Sequence, residues 1–267
     1  MAAISIFDRL LGSLLGSYMG HCYQTVCDPI NHLQPCGFED SLLYQAWSSQ
    51  VCQLRVLEFD PANADPIVVL PWLLYRHDDR SLRHSELAQL LMPISAEKVN
   101  DTLGALYLLG DCLEWLMQCS LATQEPLALL CQYVRHHQSE YPEILRSQFD
   151  CWVSSLSRGG FNDRLMHDED ELDGALVSVI IAIQQCLSYR ENLAIALANP
   201  VLSQSTLTAV GCFLGAWGGT AIIPTQWMLT IPGDTRRSIC VFAEKIYREW
   251  AGILSVSGSL EIIPLDL

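Results

Sequence analysis

Apolar residues recur at three- and four-residue steps along most of the chain, the pattern of helices that bury one face. The opening segment shows this pattern most clearly, with an apolar stripe at Ile4, Phe7, Leu10, Leu11, Leu14 and Leu15. Further helices are predicted at residues 38–56, 65–74, 81–91, 97–119, 126–137, 142–156, 172–187, 191–198, 203–217 and 234–253. Strand patterns are nearly absent, and only the tail alternates weakly. The pattern therefore predicts an all-α fold.

Helix boundaries are marked by proline and by capping residues. Asp65 followed by Pro66 is the best start signal, because aspartate caps a first turn and proline suits the first helical position. Residues 22–38 have loop composition, with prolines that interrupt any period. No linker divides the chain and no repeat at a fixed period is found. The prediction is a single compact all-α domain over residues 1–267.

Charge and cysteine content narrow the classes of protein to consider. The chain has 15 basic and 30 acidic residues and a net charge of −15, which disfavours binding to nucleic acid or to anionic lipid. Neither a transmembrane run of about 18 apolar residues nor a secretory signal is found, so membrane insertion is not predicted. The 11 cysteines lie mostly in apolar stretches, which indicates buried thiols in a reducing compartment. We therefore expect a cytoplasmic protein.

Three segments together carry a resemblance to a known family. The opening helix has small residues every four positions, which allow a neighbouring helix to approach closely: Gly12, Gly16 and Gly20. The second segment runs from Gly174 to Trp227; it contains a glycine-spaced stretch at residues 203–219 followed by Ile223-Pro224-Thr225-Gln226-Trp227, and the third segment is Asn63-Ala64-Asp65-Pro66. These segments resemble the ADP-ribosylglycohydrolase family, which includes the dinitrogenase reductase-activating glycohydrolases. Residues 81–160 resemble no family that we can name.

The resemblance implies an all-α fold and a degenerate metal site. Members of the family bind two divalent cations, usually magnesium or manganese, through a Thr-Asp-Asp loop and an Asp-x-Asp-Thr/Ser loop. The second loop falls on Ser203-Gln204-Ser205-Thr206, which has no carboxylate, and a register one residue earlier has none either. At the first loop Asp65 remains beside Ala64, and His21 stands where the family's first helix ends in aspartate. The metal-ligand positions therefore retain Asp65 as their single carboxylate.

This loss decides the function that we expect. Hard cations need several anionic oxygens, and neutral hydroxyls do not offset the four charges of a binuclear site. We therefore expect a catalytically degenerate protein without a metal cofactor or catalytic residues, which acts as a regulatory module and binds a protein partner or an ADP-ribose-like nucleotide. The first alternative is an active hydrolase of ADP-ribosyl or related N-glycosidic substrates that uses Mg²⁺ or Mn²⁺. Its rearranged site would combine Asp65, His21 and acids from residues 163–173.

A second alternative is a zinc- or thiol-bearing structural protein. Thiolate and imidazole groups on a loop are suited to a tetrahedral zinc ion, and four such residues lie close together in the sequence: Cys22, Cys27, His32 and Cys36. Their spacing lacks the tight Cys-x2-Cys pair that typifies zinc sites. The acidic run at residues 163–173 is interpreted as a solvated loop before the next helix.

Overall fold

Every regular element in the described part of the chain is helical. The computed structural model describes residues 4–23, 42–55, 57, 65–90, 97–118, 125–143, 145–146, 153 and 174–253. These residues form eleven α-helices and no strand: α1 (Ile6–Tyr23), α2 (Leu42–Cys52), α3 (Leu70–Tyr75), α4 (Arg80–Leu90), α5 (Glu97–Gln118), α6 (Pro126–His136), α7 (Ala175–Ser188), α8 (Leu193–Leu197), α9 (Gln204–Gly218), α10 (Thr225–Thr230) and α11 (Gly233–Trp250). Three short 3-10 turns accompany them: Pro66–Val69, Gln138–Glu140 and Gly219–Ile222. The predicted all-α fold class is confirmed.

The fold is centred on α1 and α9, which pack together more closely than any other pair of described helices. Gly16 lies against the backbone of Gly211, and Gly12 lies against the backbone of Gly215. A Cβ atom at any of these four positions would overlap the backbone of the other helix. The two helices therefore approach this closely only because glycine has no side chain. Gly20 makes the same kind of contact with Leu207, so the close approach predicted from the glycine spacing is confirmed.

The other helices surround this central pair. Helix α7 packs against α9 and α5, whereas α11 packs against α1 and α3. One charged side chain crosses the interior: Arg9 is buried, and its Nη1 donates hydrogen bonds to the carbonyls of Leu116 at 2.6 Å and Ala216 at 2.8 Å. This arginine thereby joins α1 to the last turns of α5 and α9.

One helical segment among the described residues is both long and apolar: Gln204–Ile222, which comprises α9 and the 3-10 turn that follows it. By length and composition alone this segment is able to cross a membrane, but 78% of its apolar 18-residue stretch is buried inside the structure. A core helix of a globular fold has the same apolar composition, because it is enclosed on all sides. The segment passes the compositional test even though no uninterrupted apolar run was found in the sequence.

Several predicted boundaries differ from the observed ones. The single helix predicted from Asp65 is divided into a 3-10 turn and α3. Pro71 has no N–H to donate within a continuous helix, and its ring would clash with the carbonyl of the residue four positions earlier. Asn192 and Ser203 lie before their helices as N-caps, with side chains that accept bonds from the backbone. Helix α1 continues to Tyr23, into the predicted loop, and α10 was not predicted as a helix.

Most of the described cysteines are buried free thiols, as predicted, but Cys52 is exposed and Cys22 is not a thiol. Six of the described cysteines carry free thiols: Cys52, Cys112, Cys131, Cys186, Cys212 and Cys240. Cys22, however, is disulfide-bonded, and its partner lies outside the described residues. The expectation of thiols throughout is therefore wrong at Cys22, and a sulfur in a disulfide does not supply the thiolate that zinc requires. The other three residues of the suggested zinc set, Cys27, His32 and Cys36, lie outside the described residues, as do residues 163–173 and the tail.

Candidate functional site

Four of the positions that the resemblance singles out lie close together. Ser203, Ser205 and Thr206 are at the start of α9, and Asp65 precedes the neighbouring 3-10 turn. Ser205, in the first turn of α9, donates a hydrogen bond from its hydroxyl to Oδ2 of Asp65. The two residues are 140 positions apart in the chain, so tertiary folding alone brings them together. We call this arrangement, formed by Asp65, Ser203, Ser205 and Thr206, the Asp65–Ser205 site. Ala64 lies outside the described residues.

Helix α9 begins at this point because Ser203 is its N-cap. Ser203 has extended backbone angles, and its Oγ accepts a hydrogen bond from the backbone N–H of Thr206 at 3.2 Å. The Ser203 and Thr206 hydroxyl oxygens are also hydrogen-bonded to each other at 2.8 Å. Both hydroxyls are thus occupied in forming the first turn of the helix.

Asp65 has a capping role as well. Its backbone is extended, and its Oδ1 accepts a hydrogen bond from the backbone N–H of Ile67 at 3.0 Å, which starts the 3-10 turn. Its Oδ2 accepts the hydrogen bond from Ser205. Both carboxylate oxygens therefore have protein donors, although the residue as a whole is exposed. Capping at Asp65 is the function that the sequence predicted for this residue.

His21 lies beside the site, in the last turn of α1. Its backbone carbonyl accepts a hydrogen bond from the Gln204 side chain at 2.9 Å, which fixes the end of α1 to the start of α9. Burial lowers the pKa of His21, and the negative charge of Asp65 partly opposes this effect. The imidazole is therefore neutral at pH 7 and does not replace the negative charge of an aspartate.

The chemistry available at the Asp65–Ser205 site is that of one carboxylate among hydroxyl groups. No group of three or more His, Cys, Asp or Glu side chains that could hold a metal ion occurs among the described residues. Asp65 supplies a single negative charge, and Ser203, Ser205 and Thr206 supply neutral oxygens that are already hydrogen-bonded. Such a set is suited to hydrogen bonding rather than to the neutralisation of a cation pair.

A small cavity of about 130 Å³ lies between the 3-10 turn Pro66–Val69 and α2. Neither Asp65 nor Ser205 lines it, and its walls are mainly apolar or amide side chains: Ala46, Ser49, Gln50, Gln53, Val68 and Val69. None of the described residues that line the cavity is charged, so they add no ionic chemistry to the Asp65–Ser205 site.

The sequence analysis missed a second polar feature, a buried cluster of ionic side chains between α4 and α5. We call it the arginine cluster, and its members are Arg80, Arg83, His84, Asp111 and Glu114. Arg83 is fully buried, and its Nη2 lies 2.6 Å from Oδ1 of Asp111 and 2.7 Å from Oε2 of Glu114. His84 Nε2 lies 3.1 Å from the same Asp111 oxygen.

Asp111 is ionised at the centre of this cluster. Burial by itself would raise the pKa of Asp111, but the hydrogen bond from His84 and the positive charges of Arg83 and Arg80 hold that pKa below its usual range. The sequence carried a partial signal, since Arg80 and Arg83 are three residues apart on one helix, as are Asp111 and Glu114. Which two helices would face each other was not evident from that spacing.

No protein-family model matches the chain, and no curated protein matches it. The likeness to the ADP-ribosylglycohydrolases therefore rests on the three segments given above.

Proposed function

We infer that the protein is a catalytically degenerate ADP-ribosylglycohydrolase-like protein. It acts as a regulatory module that binds a protein partner or an ADP-ribose-like nucleotide, and it does not hydrolyse an N-glycosidic bond with a pair of metal ions. The proposal joins the sequence resemblance to the composition of the Asp65–Ser205 site.

One observation carries the proposal. The positions that the resemblance equates with metal ligands, far apart in the sequence, lie in contact at Asp65 and Ser205. This is the arrangement that a shared site requires, yet it contains a single carboxylate, and both oxygens of that carboxylate accept hydrogen bonds from the protein. This contact supports the proposal, because a site that has lost most of its anionic ligands is expected to keep such an arrangement.

The charges explain why hydrolysis is not expected. Two divalent ions bring four positive charges, and Asp65 offsets one of them. The remaining ligand positions hold hydroxyls and, at His21, a neutral imidazole. Without the metal pair, neither a metal-activated water nor a metal-oriented ribose hydroxyl is available for the reaction.

An activity assay tests the proposal directly. The purified chain is incubated with ADP-ribosyl-arginine and with Mg²⁺ or Mn²⁺, and ADP-ribose binding is measured in parallel by isothermal titration. We expect no metal-dependent turnover, with or without ADP-ribose binding. Robust turnover that a chelator abolishes would contradict the proposal and favour the active hydrolase.

A gain-of-function variant tests the aligned positions themselves. We expect the double variant Ser203→Asp/Ser205→Asp to lose stability without metal, because two carboxylates are added beside Asp65, and to regain it with millimolar Mn²⁺. The matched control is Ser203→Asn/Ser205→Asn, which has nearly the same shape without the charge. Equal responses of the two variants to Mn²⁺ in thermal unfolding would mean that these residues do not correspond to metal ligands.

The active-hydrolase alternative rests on the position of Asp65 beside His21, where the two side chains interact electrostatically. If activity on ADP-ribosyl-arginine is found, the substitution Asp65→Ala decides whether this carboxylate takes part. An unchanged rate would exclude Asp65 from the reaction, and a large loss would support the rearranged site.

For the zinc alternative, elemental analysis of the purified chain is decisive, because a metal-free result removes it.

A further inference from the structure

Arg80, at the start of α4, carries buried hydrogen-bond donors that have no acceptor. The side chain is 7% exposed, and its terminal nitrogens Nη1 and Nη2 are both buried without a hydrogen-bond partner in the described part of the structure. Burial of an unsatisfied donor is unfavourable, and it is more so for a charged group. Each such group in a folded protein calls for a physical explanation.

The neighbouring carboxylates do not satisfy these two nitrogens. Arg80 approaches them through Nε, which lies 3.3 Å from Oε2 of Glu114 and 3.4 Å from Oδ1 of Asp111. The same two oxygens are held more closely by Nη2 of Arg83, at 2.7 Å and 2.6 Å. Arg83 therefore makes the short hydrogen bonds to the two carboxylates, and Nη1 and Nη2 of Arg80 are left without an acceptor among the described residues.

An aromatic ring holds the guanidinium in place. The carbon atom Cζ of Arg80 lies 4.6 Å from the centre of the Tyr133 ring, in α6. Contact between the planar cation and the ring uses the face of the guanidinium and leaves its edge available for bonds in the plane. Burial and the nearby Glu114 carboxylate raise the pKa of Tyr133, and its buried hydroxyl lies beside Glu114 without a hydrogen bond of ordinary geometry to a described residue.

Within the arginine cluster and Tyr133, the unsatisfied atoms are mainly donors. Besides the nitrogens of Arg80 they include Nε of Arg83, which only donates, and the Tyr133 hydroxyl and Nδ1 of His84, which either donate or accept. A group that completes this set must therefore be an acceptor. The two terminal nitrogens of an arginine match the two oxygens of a carboxylate or phosphate group in a bidentate arrangement.

We propose that the arginine cluster together with Tyr133 is a binding site for a small oxyanion, held by Nη1 and Nη2 of Arg80. Within the cluster the positive charges of Arg80 and Arg83 are balanced by Asp111 and Glu114, so the occupant adds its full charge. A singly charged carboxylate is therefore favoured over a doubly charged phosphate. This site shares no residue with the Asp65–Ser205 site and does not depend on the proposed function.

Isothermal titration of the full chain with acetate and, separately, with inorganic phosphate in a chloride buffer tests the proposal. We expect saturable binding of one anion per chain, tighter for acetate. Arg80→Gln should abolish it, and Tyr133→Phe should weaken it by about fivefold to tenfold, the loss of one hydrogen bond. The matched control is Arg237→Gln, because Arg237 is a surface arginine with a 66% exposed side chain, and it should leave binding unchanged.

Three results would overturn the proposal. These are the absence of saturable binding, equal binding by Arg80→Gln and the wild-type protein, and a crystal structure grown with acetate in which water alone contacts Nη1 and Nη2. If Arg80→Gln does not fold, Tyr133→Phe decides, since it keeps every charge of the cluster. Weaker acetate binding by that variant supports the site, and unchanged binding contradicts it.

Discussion

At the scale of single residues, Asp65 has a structural role at a position that the resemblance equates with a metal ligand. Its two oxygens bond to a backbone N–H and to the Ser205 hydroxyl, so the residue starts the 3-10 turn and joins it to α9. Its capping role was predictable from the Asp-Pro pair, because capping is a local property. Its contact with Ser205, 140 positions away in the chain, is not a local property, and the sequence analysis did not predict it.

Asp65→Ala should destabilise the fold by about 1 kcal/mol, because the cap at Ile67 and the contact with Ser205 are both lost. Asp65→Asn is the matched control, since asparagine caps as well as aspartate: its single amide oxygen accepts from the Ile67 N–H, and its NH2 group donates to the Ser205 hydroxyl oxygen. Urea unfolding of the three proteins measures the effect. If Asp65→Ala were as stable as the wild-type protein, the contacts described here would not contribute to stability.

His77, after the end of α3, should make stability depend on pH. It is 2% exposed, and its Nδ1–H donates to the carbonyl of Leu74 at 2.8 Å. Burial lowers its pKa, helped by the charge of Arg83 and opposed by the Leu74 hydrogen bond and by Asp78 and Glu114. Because the unfolded state then binds more protons, the free energy of unfolding should fall as the pH drops below about 6.5.

Urea unfolding at several pH values between 5 and 8 tests this expectation. His77→Gln should flatten the dependence, and a smaller slope should remain because the pKa of His21 is lowered in the same way. An identical slope in the variant and in the wild-type protein would show that His77 is not the group responsible.

At the scale of helices, the fold depends on the contact between α1 and α9. Gly16→Ala should destabilise the protein by about 1–3 kcal/mol or more, because the added methyl group meets the rigid backbone at Gly211 and forces the helices apart. The matched control is Gly233→Ala at the start of α11, where the methyl group meets nothing within 4 Å. Thermal unfolding should separate the two variants clearly, and similar melting temperatures would contradict the close packing.

The arginine cluster joins α4 to α5 through buried charges. Asp111→Asn should cost about 3–5 kcal/mol, because it removes one of the two carboxylates that balance two buried arginines and leaves a positive charge in the interior uncompensated. Glu249→Gln breaks a surface ion pair between Glu249, whose side chain is 33% exposed, and Arg55, whose side chain is 74% exposed. This substitution should change stability by less than about 1 kcal/mol. Denaturant unfolding of both variants provides the comparison, and a small effect at Asp111 would show that solvent reaches the cluster.

Sequence reasoning succeeded where the controlling interactions are local. The bounds predicted for α5 and α6 agree with the structure to one residue at either end, because periodicity and proline define them. The division of one predicted helix at Pro71 and the short helix α10 were not foreseen, since apolar spacing alone does not resolve elements of six residues. The arginine cluster was missed because its two pairs meet only through the packing of α4 on α5.

At the scale of the whole molecule, the described residues form an all-helical scaffold. The positions in it that the resemblance equates with metal ligands retain one carboxylate, that of Asp65. The chain carries a net charge of −15, so it attracts cations diffusely. Diffuse attraction is screened at an ionic strength of about 0.15 M, whereas a built site for two ions is screened much less. Measurements of metal binding at that ionic strength therefore distinguish the two.

The most direct test is a titration of the full chain with Mn²⁺, followed by the electron paramagnetic resonance signal of the free ion at about 0.15 M salt and neutral pH. The account predicts that free Mn²⁺ follows total Mn²⁺ throughout the micromolar range, in the wild-type protein and in Asp65→Asn alike. Sequestration of two ions per chain, lost in Asp65→Asn, would contradict the account and assign this protein a working binuclear centre.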